Sequence, residues 1–370
     1  MNQLMFDYQI LLMQKYGGIS RYFYEVISRV PLNEFDLNFS VINNLNYYFE
    51  DYFGQPIREI NNPKKYRRII KKNQAITKKT LKKSKDNIIF HPTYFNPYFL
   101  ESLQGKLILT VHDMIHEKYP EYYAGNATIG HKKSLMERAD RIIAVSEATR
   151  NDILDIYPSI DESKIAVVYH GSDQKKQVII NTEYERKYKQ NGAFLLYVGN
   201  RDRYKNFINM ANAVSHILAQ RSDLKLICVG GGDFLSEEKD IFERNKCLGQ
   251  VVQVNASEEE LNWLYQNAEC FVFSSKAEGF GIPILEAWKN ECPVVLSDME
   301  CFREIGGNAV LYFDPDSIAA MEEKIASVLR GEAIRDKLIE LGNERLKSFS
   351  WDLCAQKHIQ IYRDECNRGE

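Results

Sequence analysis

Cysteine is scarce and badly spaced for structural work in this 370-residue chain: seven occur, at 228, 247, 270, 292, 301, 354 and 366, with no CxxC pair among them. An odd number that avoids the first 227 positions fits neither a disulfide scaffold nor a zinc module and points to a reducing, cytoplasmic setting. Long apolar runs are missing too. No stretch approaches the roughly 18 to 20 residues that a spanning helix needs. The amino terminus, MNQLMFDYQILLMQKYGG, has no basic leader and runs straight into a glycine pair, so it does not read as a signal peptide. A formal net charge of −3 gives no overall basic footprint, so no nucleic-acid partner is expected. No GxSxG or HExxH offers a nucleophile or a metal pair.

What is present is a globular composition, 44% hydrophobic and 27% charged, in a chain long enough for two domains. Short apolar runs alternate with helical stretches: LNFSVIN, NIIFHP, KLILTVHD, RIIAVS and KIAVVYHG, then FLLYVGN, LKLICVGGG, QVVQVN, ECFVFSS and CPVVLSD. Continuous apolar strands separated by helices predict α/β architecture with parallel sheets covered on both faces. The pattern pauses over the polar stretch SDQKKQVIINTEYERKYKQNG. The expectation is therefore an amino-terminal Rossmann-like domain over 1–172, a hinge over 173–192, a carboxy-terminal Rossmann-like domain over 193–350, and a helix over 351–370 with the option of packing back on the first domain. Two such lobes imply a cleft. Ligands of open α/β sheets settle at the carboxyl ends of strands, which gives weight to TVHD (110–113), YVGN (197–200), VGGGD (229–233) and FSSKAEGFG (273–281).

The richest segment is SSKAEGFGIPILEAWKNECPVV, where Glu278 and Glu286 flank seven residues. Gly279 and Gly281 before Pro283 read as a loop feeding a helix, so the peptide groups of Gly279, Phe280, Gly281 and Ile282 can face a phosphate at the positive end of the helix dipole. Glu278 in the loop can reach sugar hydroxyls, and Glu286, one turn into the helix, can accept both hydroxyls of a ribose. Singly, an EGFG is a tight turn and a helical Glu a surface ion pair. The two at this spacing point to function.

The segment EGFGIPILEAW resembles the signature of retaining glycosyltransferase family 4, with its two-lobed GT-B fold. KYGGISRYFYEVI, TVHDMIHEKYP, ADRIIAVSEATRNDI, KIAVVYHGSD, YVGNRDRYKN and NAVLYFDPDSI match further pieces of that family's pattern in order. The resemblance implies two Rossmann-like lobes facing each other across a central cleft, the amino-terminal one (1–172) on the acceptor side and the carboxy-terminal one (193–350) binding the nucleotide sugar, and a donor that is a GDP- or UDP-linked sugar, with a slight lean to GDP-mannose. It implies a glycan or lipid-linked acceptor in surface polysaccharide assembly. Following Gly199, Arg201 and Lys205 resemble the basic pair that grips the donor diphosphate; many relatives carry the arginine where this chain has Asn200, so Arg203 is a rival to Arg201. Gly17 and Gly18 approach the phosphate and sugar from the opposite wall, with Arg21 adding charge. His112 lies near the donor sugar, and its neighbour Asp113 is expected to fix its tautomer.

No cofactor and no metal are expected. His112 and His116 have i, i+4 spacing but sit at a strand end, and Asp314 and Asp316 in YFDPDSI read as a strand end and a helix cap rather than a metal-holding pair. Two other readings of the same fold are a nucleotide-sugar epimerase and a non-catalytic sugar-binding or scaffold protein; Glu278, Glu286 and Lys205 together argue against the latter. One stretch stands outside this account: residues 64–85 hold eleven Lys or Arg and no acid, interleaved with Ile69, Ile70, Ile76 and Leu81. A basic amphipathic helix predicts an anionic membrane surface as partner, with the chain peripheral on the inner face of the cytoplasmic membrane. A solvated lysine-rich helix is the plainer alternative.

Overall fold

The computed structural model describes residues 2–39, 41–54, 57, 59–84, 88–173, 178–189, 192–201 and 203–367. They form two compact units, Met1–His170 with Trp351–Glu370, and Gly171–Ser350. Unit 1 carries six strands, β1 (Asn2–Phe6), β2 (Phe35–Phe39), β3 (Ile88–His91), β4 (Lys106–Val111), β5 (Arg141–Ala144) and β6 (Ile165–Val167), in the order β2-β1-β3-β4-β5-β6. Unit 2 carries β7 (Ala193–Val198), β8 (Leu224–Val229), β9 (Val251–Val254), β10 (Cys270–Phe273), β11 (Val294–Ser297) and β12 (Leu311–Phe313), in the order β12-β11-β10-β7-β8-β9. Every pairing is parallel. In each sheet the chain leaves the first strand in one direction and later returns to its other side, so the order reverses between β1 and β3 and between β7 and β10. These reversals are where doubly wound sheets open a crevice at the carboxyl ends of their strands.

β1 is not evident in the sequence. Only Asp7 and Tyr8 separate it from the helix Gln9–Met13, with no Gly or Pro to mark its end, yet it pairs with both β2 and β3 and its last three residues are buried. Its register leaves Asp7 wholly buried. There the carboxylate accepts from Thr93 N (2.9 Å), Thr93 Oγ1 (2.8 Å), Gln9 Nε2 (2.8 Å) and Tyr98 OH (3.0 Å). Burial pushes the pKa of Asp7 up while these bonds oppose the rise.

Of the stretch expected as a hinge, residues 174–177, 190 and 191 lie outside the described residues. The rest belongs to unit 2. Tyr188 is buried and donates to Glu260 (2.6 Å), which Lys187 also reaches (2.8 Å), so an apolar anchor hides in a polar-looking segment. The basic stretch is a single helix, Pro63–Ser84; Lys85 lies outside the described residues. Its buried stripe is Ile69, Asn73, Thr77 and Leu81 at strict i+4 spacing, and two of these four are polar, which is why the apolar pattern looks irregular. Asn73 earns its place by accepting from Ile42 N (2.8 Å).

The C-terminal helix Trp351–Asn367 belongs to unit 1 and is tied to its sheet by a buried polar chain. His358 Nδ1 lies 2.7 Å from the Cys354 carbonyl, so Nδ1 carries the proton and Nε2 must accept. Tyr22 therefore donates to His358 Nε2 (2.5 Å) and accepts from Thr110 Oγ1 (2.7 Å). Thr110 then accepts from His91 Nε2 (2.9 Å), leaving His91 Nδ1 to accept from Tyr362 OH (2.9 Å). Each proton has one place in this chain, which requires both imidazoles to be neutral. Burial pushes His358 down to about 4 and His91 and His170 well below 6.5.

Histidines whose folded pKa is depressed contribute stability that is complete above the unfolded value near 6.5 and lost as pH falls toward the folded values. Unit 1 is expected to lose stability from pH 6.5 downward to about pH 4, by at most about 1.4 kcal/mol per pH unit for each histidine. Thermal melts across that range check it; a melting temperature independent of pH there would refute the neutral chain.

Candidate active site

The order reversal of unit 2 brings together the segments that follow β7 and β10. After β7 the chain turns at Gly199 and passes through a short turn, Arg203–Lys205, into the helix Phe207–Gln220. After β10 it crosses Ser274–Gly281 and enters the helix Ile282–Lys289. One backbone bond and one side-chain bond join the two segments: Lys276 N donates to Tyr204 O (2.7 Å), and the Ser274 hydroxyl to Lys205 O (2.8 Å). Between them Lys205 Nζ meets Glu278 Oε1 at 2.6 Å, both side chains largely but not fully buried (17% and 13% exposed). A lysine and a carboxylate that keep one open side can exchange each other for a ligand carrying phosphate and hydroxyl groups.

Gly281 has φ 99°, and a Cβ there would press on Ile284 Cδ1 (3.0 Å) and Phe302 Cε1 (3.1 Å), so only glycine permits this entry to the helix. Phe280 is buried with its ring against Phe349, and its carbonyl accepts from Cys301 Sγ (3.5 Å). Gly279 is also buried, and Ile282 is half-buried at the first helical position. Glu286, half-buried one turn on, lies 3.4 Å from Tyr265 OH. Asp314 and Asp316 are occupied elsewhere: Asp314 Oδ1 accepts from Asp316 N (2.9 Å), Asp316 pairs with Lys276, and the cap of the next helix is Ser317.

Arg201 has a different task from the one expected of it. Its side chain is 3% exposed and pairs with the equally buried Glu238 (2.9 Å), while its other N–H groups donate to the carbonyls of Gly230 (3.1 Å), Gly232 (2.8 Å) and Asp233 (2.8 Å). Gly230, Gly231 and Gly232 all have positive φ and wrap this guanidinium, so Arg201 is the post of the loop after β8. Arg203 is the exposed arginine of the segment.

In unit 1, Gly17 precedes the helix Gly18–Ile27, and a Cβ on it would collide with the Gln14 side chain, whose Oε1 accepts from Ser20 N (3.2 Å). The helix start is thus already capped from within. Arg21 lies along the same helix over the Trp351 ring (5.9 Å). His112 follows β4, 9% exposed, its ring edge-on to Tyr22 (5.1 Å). Its Nδ1 has no hydrogen-bond partner among the described residues. Burial, then the charge of Lys132, pushes its pKa down to about 3, so it meets a ligand as neutral imidazole. Asp113 does not fix its tautomer; that carboxylate accepts from Ile115 N (3.0 Å) instead. His116 stacks on Tyr123 (4.1 Å).

Comparison with known proteins completes the picture. Residues 16–176 match the model of Glycosyltransferase Family 4 and residues 181–345 that of Glycosyl transferases group 1. The chain belongs to glycosyltransferase family 4. An O-antigen chain mannosyltransferase B of Escherichia coli is 28% identical over 297 residues, 76% of each protein. Among solved structures, a glycosyltransferase from Rickettsia africae superposes with a TM-score of 0.74 at 18% identity, covering 98% of both chains. The Anabaena protein HepE in complex with UDP-glucose does so at 0.73 and 15% identity, covering 98% of this chain and all of that one. The fold is accordingly GT-B.

Two pairs of this glycosyltransferase escape sequence reading. One is Arg201–Glu238. The other lies behind His112: Lys132, fully buried, bonds Glu117 (2.9 Å) and the Asp113 carbonyl (2.9 Å). A signal for it exists, because Lys132, Leu135, Met136 and Ala139 fall on one helical stripe, where a lysine needs a buried partner.

Replacing Arg201 with Ala strands Glu238 in the interior and is expected to cost about 3–5 kcal/mol of unit 2 stability. Arg203→Ala, at an exposed position, is expected to stay within about 0.5 kcal/mol of the parent. Urea unfolding of the two variants separates them; equal stability would remove the structural role given to Arg201.

Proposed function

We propose that this glycosyltransferase moves a hexose, mannose in preference, from a nucleoside-diphosphate sugar to a glycan or lipid-linked acceptor of surface polysaccharide assembly, with retention at the anomeric carbon and without a metal. The observation that carries the reading is the Lys205–Glu278 pair of 2.6 Å at the order reversal of unit 2. Breaking the bond between sugar and phosphate leaves a diphosphate whose growing negative charge must be met in the transition state. Lys205, with Arg203 as second cation, supplies that charge. Glu278, released from Lys205 by the donor, accepts from sugar hydroxyls; Glu286, braced by Tyr265, accepts from the ribose. The peptide groups of Gly279–Ile282 face the phosphates. His112, being neutral, exchanges hydrogen bonds with a hydroxyl and does not carry charge.

The preference for mannose is supported by the E. coli relative, named for mannosyl transfer, and the nucleotide-sugar donor by the HepE complex with UDP-glucose. The donor nucleotide is GDP or UDP. Same-face attack, in which the leaving phosphate takes the acceptor's proton, needs no side-chain nucleophile. Lys205→Ala is expected to lower kcat about 10²- to 10³-fold with folding intact, the usual cost of one such donor. Thermal shifts with GDP, UDP and their sugar conjugates test the site, since a bound ligand stabilises by RT ln(1 + [L]/Kd). A shift for one base that Lys205→Ala weakens supports the transferase site. No shift with any of them favours the scaffold reading, and donor conversion without acceptor favours an epimerase.

The helix Pro63–Ser84 adds a membrane reading. Its ten Lys and Arg side chains make no ion pair among the described residues, and nine of the ten are exposed. No helix of the described residues is long and apolar enough to cross a bilayer. Each cation near an anionic surface contributes roughly 1 kcal/mol, screened by salt. Flotation with anionic vesicles at low salt, lost on neutral vesicles or at high salt, is the expected result; equal recovery on both vesicle types would refute it.

A further inference from the structure

The order reversal of unit 1, between β1 and β3, has its own cavity of about 290 Å³, walled by Tyr8 and Gln9 after β1, Tyr94 to Asn96 after β3, Asn126 and His131 before and in the helix Thr128–Arg138, and Tyr66 and Ile70 from the basic helix. That position is where a doubly wound sheet binds its ligand, and the volume is near the lower end of the roughly 300–1,000 Å³ of small-molecule sites. The walls are held in advance. Gln9 Nε2 donates to the carbonyls of Tyr94 and Asn96 (both 3.2 Å), its Oε1 accepts from Asn96 N (2.8 Å), and Asp7 ties both segments from below.

The chemistry of the walls selects among ligands. Tyr8, Tyr66, Tyr94 and Phe95 give the walls aromatic side chains, the residue type that packs against the C–H face of a pyranose. The Asn96 and Asn126 side-chain N–H groups, the Tyr94 hydroxyl and the His131 ring make no hydrogen bond among the described residues, which leaves donors and acceptors for sugar hydroxyls. An alkyl chain in the same space would strand them, at a cost for each. The wall helix contributes a second element. Arg67 and Lys71 each stand one position beyond a wall residue, about 100° around the helix, exposed and without an ion pair among the described residues.

We infer that this cavity takes one sugar ring of the acceptor and that Arg67 and Lys71 take a phosphoryl group attached to that sugar. The inference rests on the transferase reading and specifies its acceptor as a glycosyl phosphate rather than a neutral glycan. The phosphate can belong to a soluble sugar phosphate or to a lipid headgroup; the chemistry recognised is the same.

The test uses the full chain with GDP or UDP at saturation, so that the unit 2 site is filled. Binding of four hexose 1-phosphates (mannose, glucose, galactose and N-acetylglucosamine), of the free sugars and of inorganic phosphate is followed by calorimetry and saturation-transfer NMR. One or more hexose 1-phosphates are expected to bind at least about tenfold more tightly than either the free sugar or inorganic phosphate, two favourable contacts instead of one. Asn126→Ala and Tyr66→Ala are expected to weaken sugar and sugar phosphate alike by about three- to tenfold, a hydrogen bond's worth or slightly more. Arg67→Ala with Lys71→Ala weakens the phosphorylated ligands alone. The same sugar phosphate carrying a short isoprenyl chain in neutral vesicles assigns the source: retention there means a lipid headgroup, and binding of the free compound only means a soluble one. The inference is overturned if no hexose 1-phosphate binds, if binding ignores the Tyr66 and Asn126 substitutions, or if decyl phosphate displaces the sugar. A missing nucleotide shift in the same samples counts against the transferase reading, separately from any of these.

Discussion

In a fully parallel sheet every strand ends on the same side, and wherever the strand order reverses, the chain leaves two neighbouring strand ends in opposite directions. The space between those departures cannot be filled by the sheet's own connections. Both units meet this constraint once, and both line the gap with side chains that the rest of the fold holds in place. Unit 2 puts opposite charges there, Lys205 and Glu278, on segments tied together by the Lys276 amide and the Ser274 hydroxyl. Unit 1 puts neutral aromatic and amide groups there, stapled by Asp7 and Gln9. The same topology thus yields one opening suited to a charged ligand and another suited to a largely uncharged ring.

Each opening depends on loops that lack regular backbone pairing, and the fold compensates with buried cations. Arg201 collects three carbonyls from the loop after β8, and Lys132 holds the Asp113 carbonyl beside His112. A carbonyl that no strand or helix pairs must find another donor if it is buried, and a guanidinium or ammonium can serve several at once. The charge then needs its own partner, Glu238 or Glu117. Such pairs add little net stability against apolar replacements, but losing one member is severe. They are better understood as fixing loop geometry.

The sequence displays the parts of this arrangement that depend on neighbouring residues. Strand runs, the glycines of EGFG, the proline at the helix start and the eight-residue step from Glu278 to Glu286 are all local, and so were readable. What hides is set by distant partners. Arg201 looks like a phosphate ligand because nothing nearby reveals that the glycine loop at 230–232 folds around it. β1 is hidden because what makes it a strand is its pairing with the distant β2 and β3, while only two residues, neither Gly nor Pro, part it from the next helix. The buried face of the basic helix is half polar because Asn73 serves the backbone of Ile42, a relation no periodicity records. Asp113 sits next to His112 in sequence yet caps the following turn.

The neutral state of His112 divides the proposed chemistry between the units. A histidine near its ordinary pKa of 6.5 could serve as a proton donor around neutral pH, but this one is pushed to about 3 by burial and by the charge of Lys132. Protonating it would place a second cation in the interior beside the first. In the proposed chemistry the neutral His112 is therefore assigned to orienting a hydroxyl, and the charge of the departing phosphate to the cations after β7. Lys205 fits the proposed task because it is neither fully buried nor free: its partner Glu278 keeps 13% of its side chain exposed, and in that reading a phosphate takes the carboxylate's place. Arg201, enclosed by its loop, has no such exchange open to it, since any movement toward a ligand would leave Glu238 and three carbonyls unpaired.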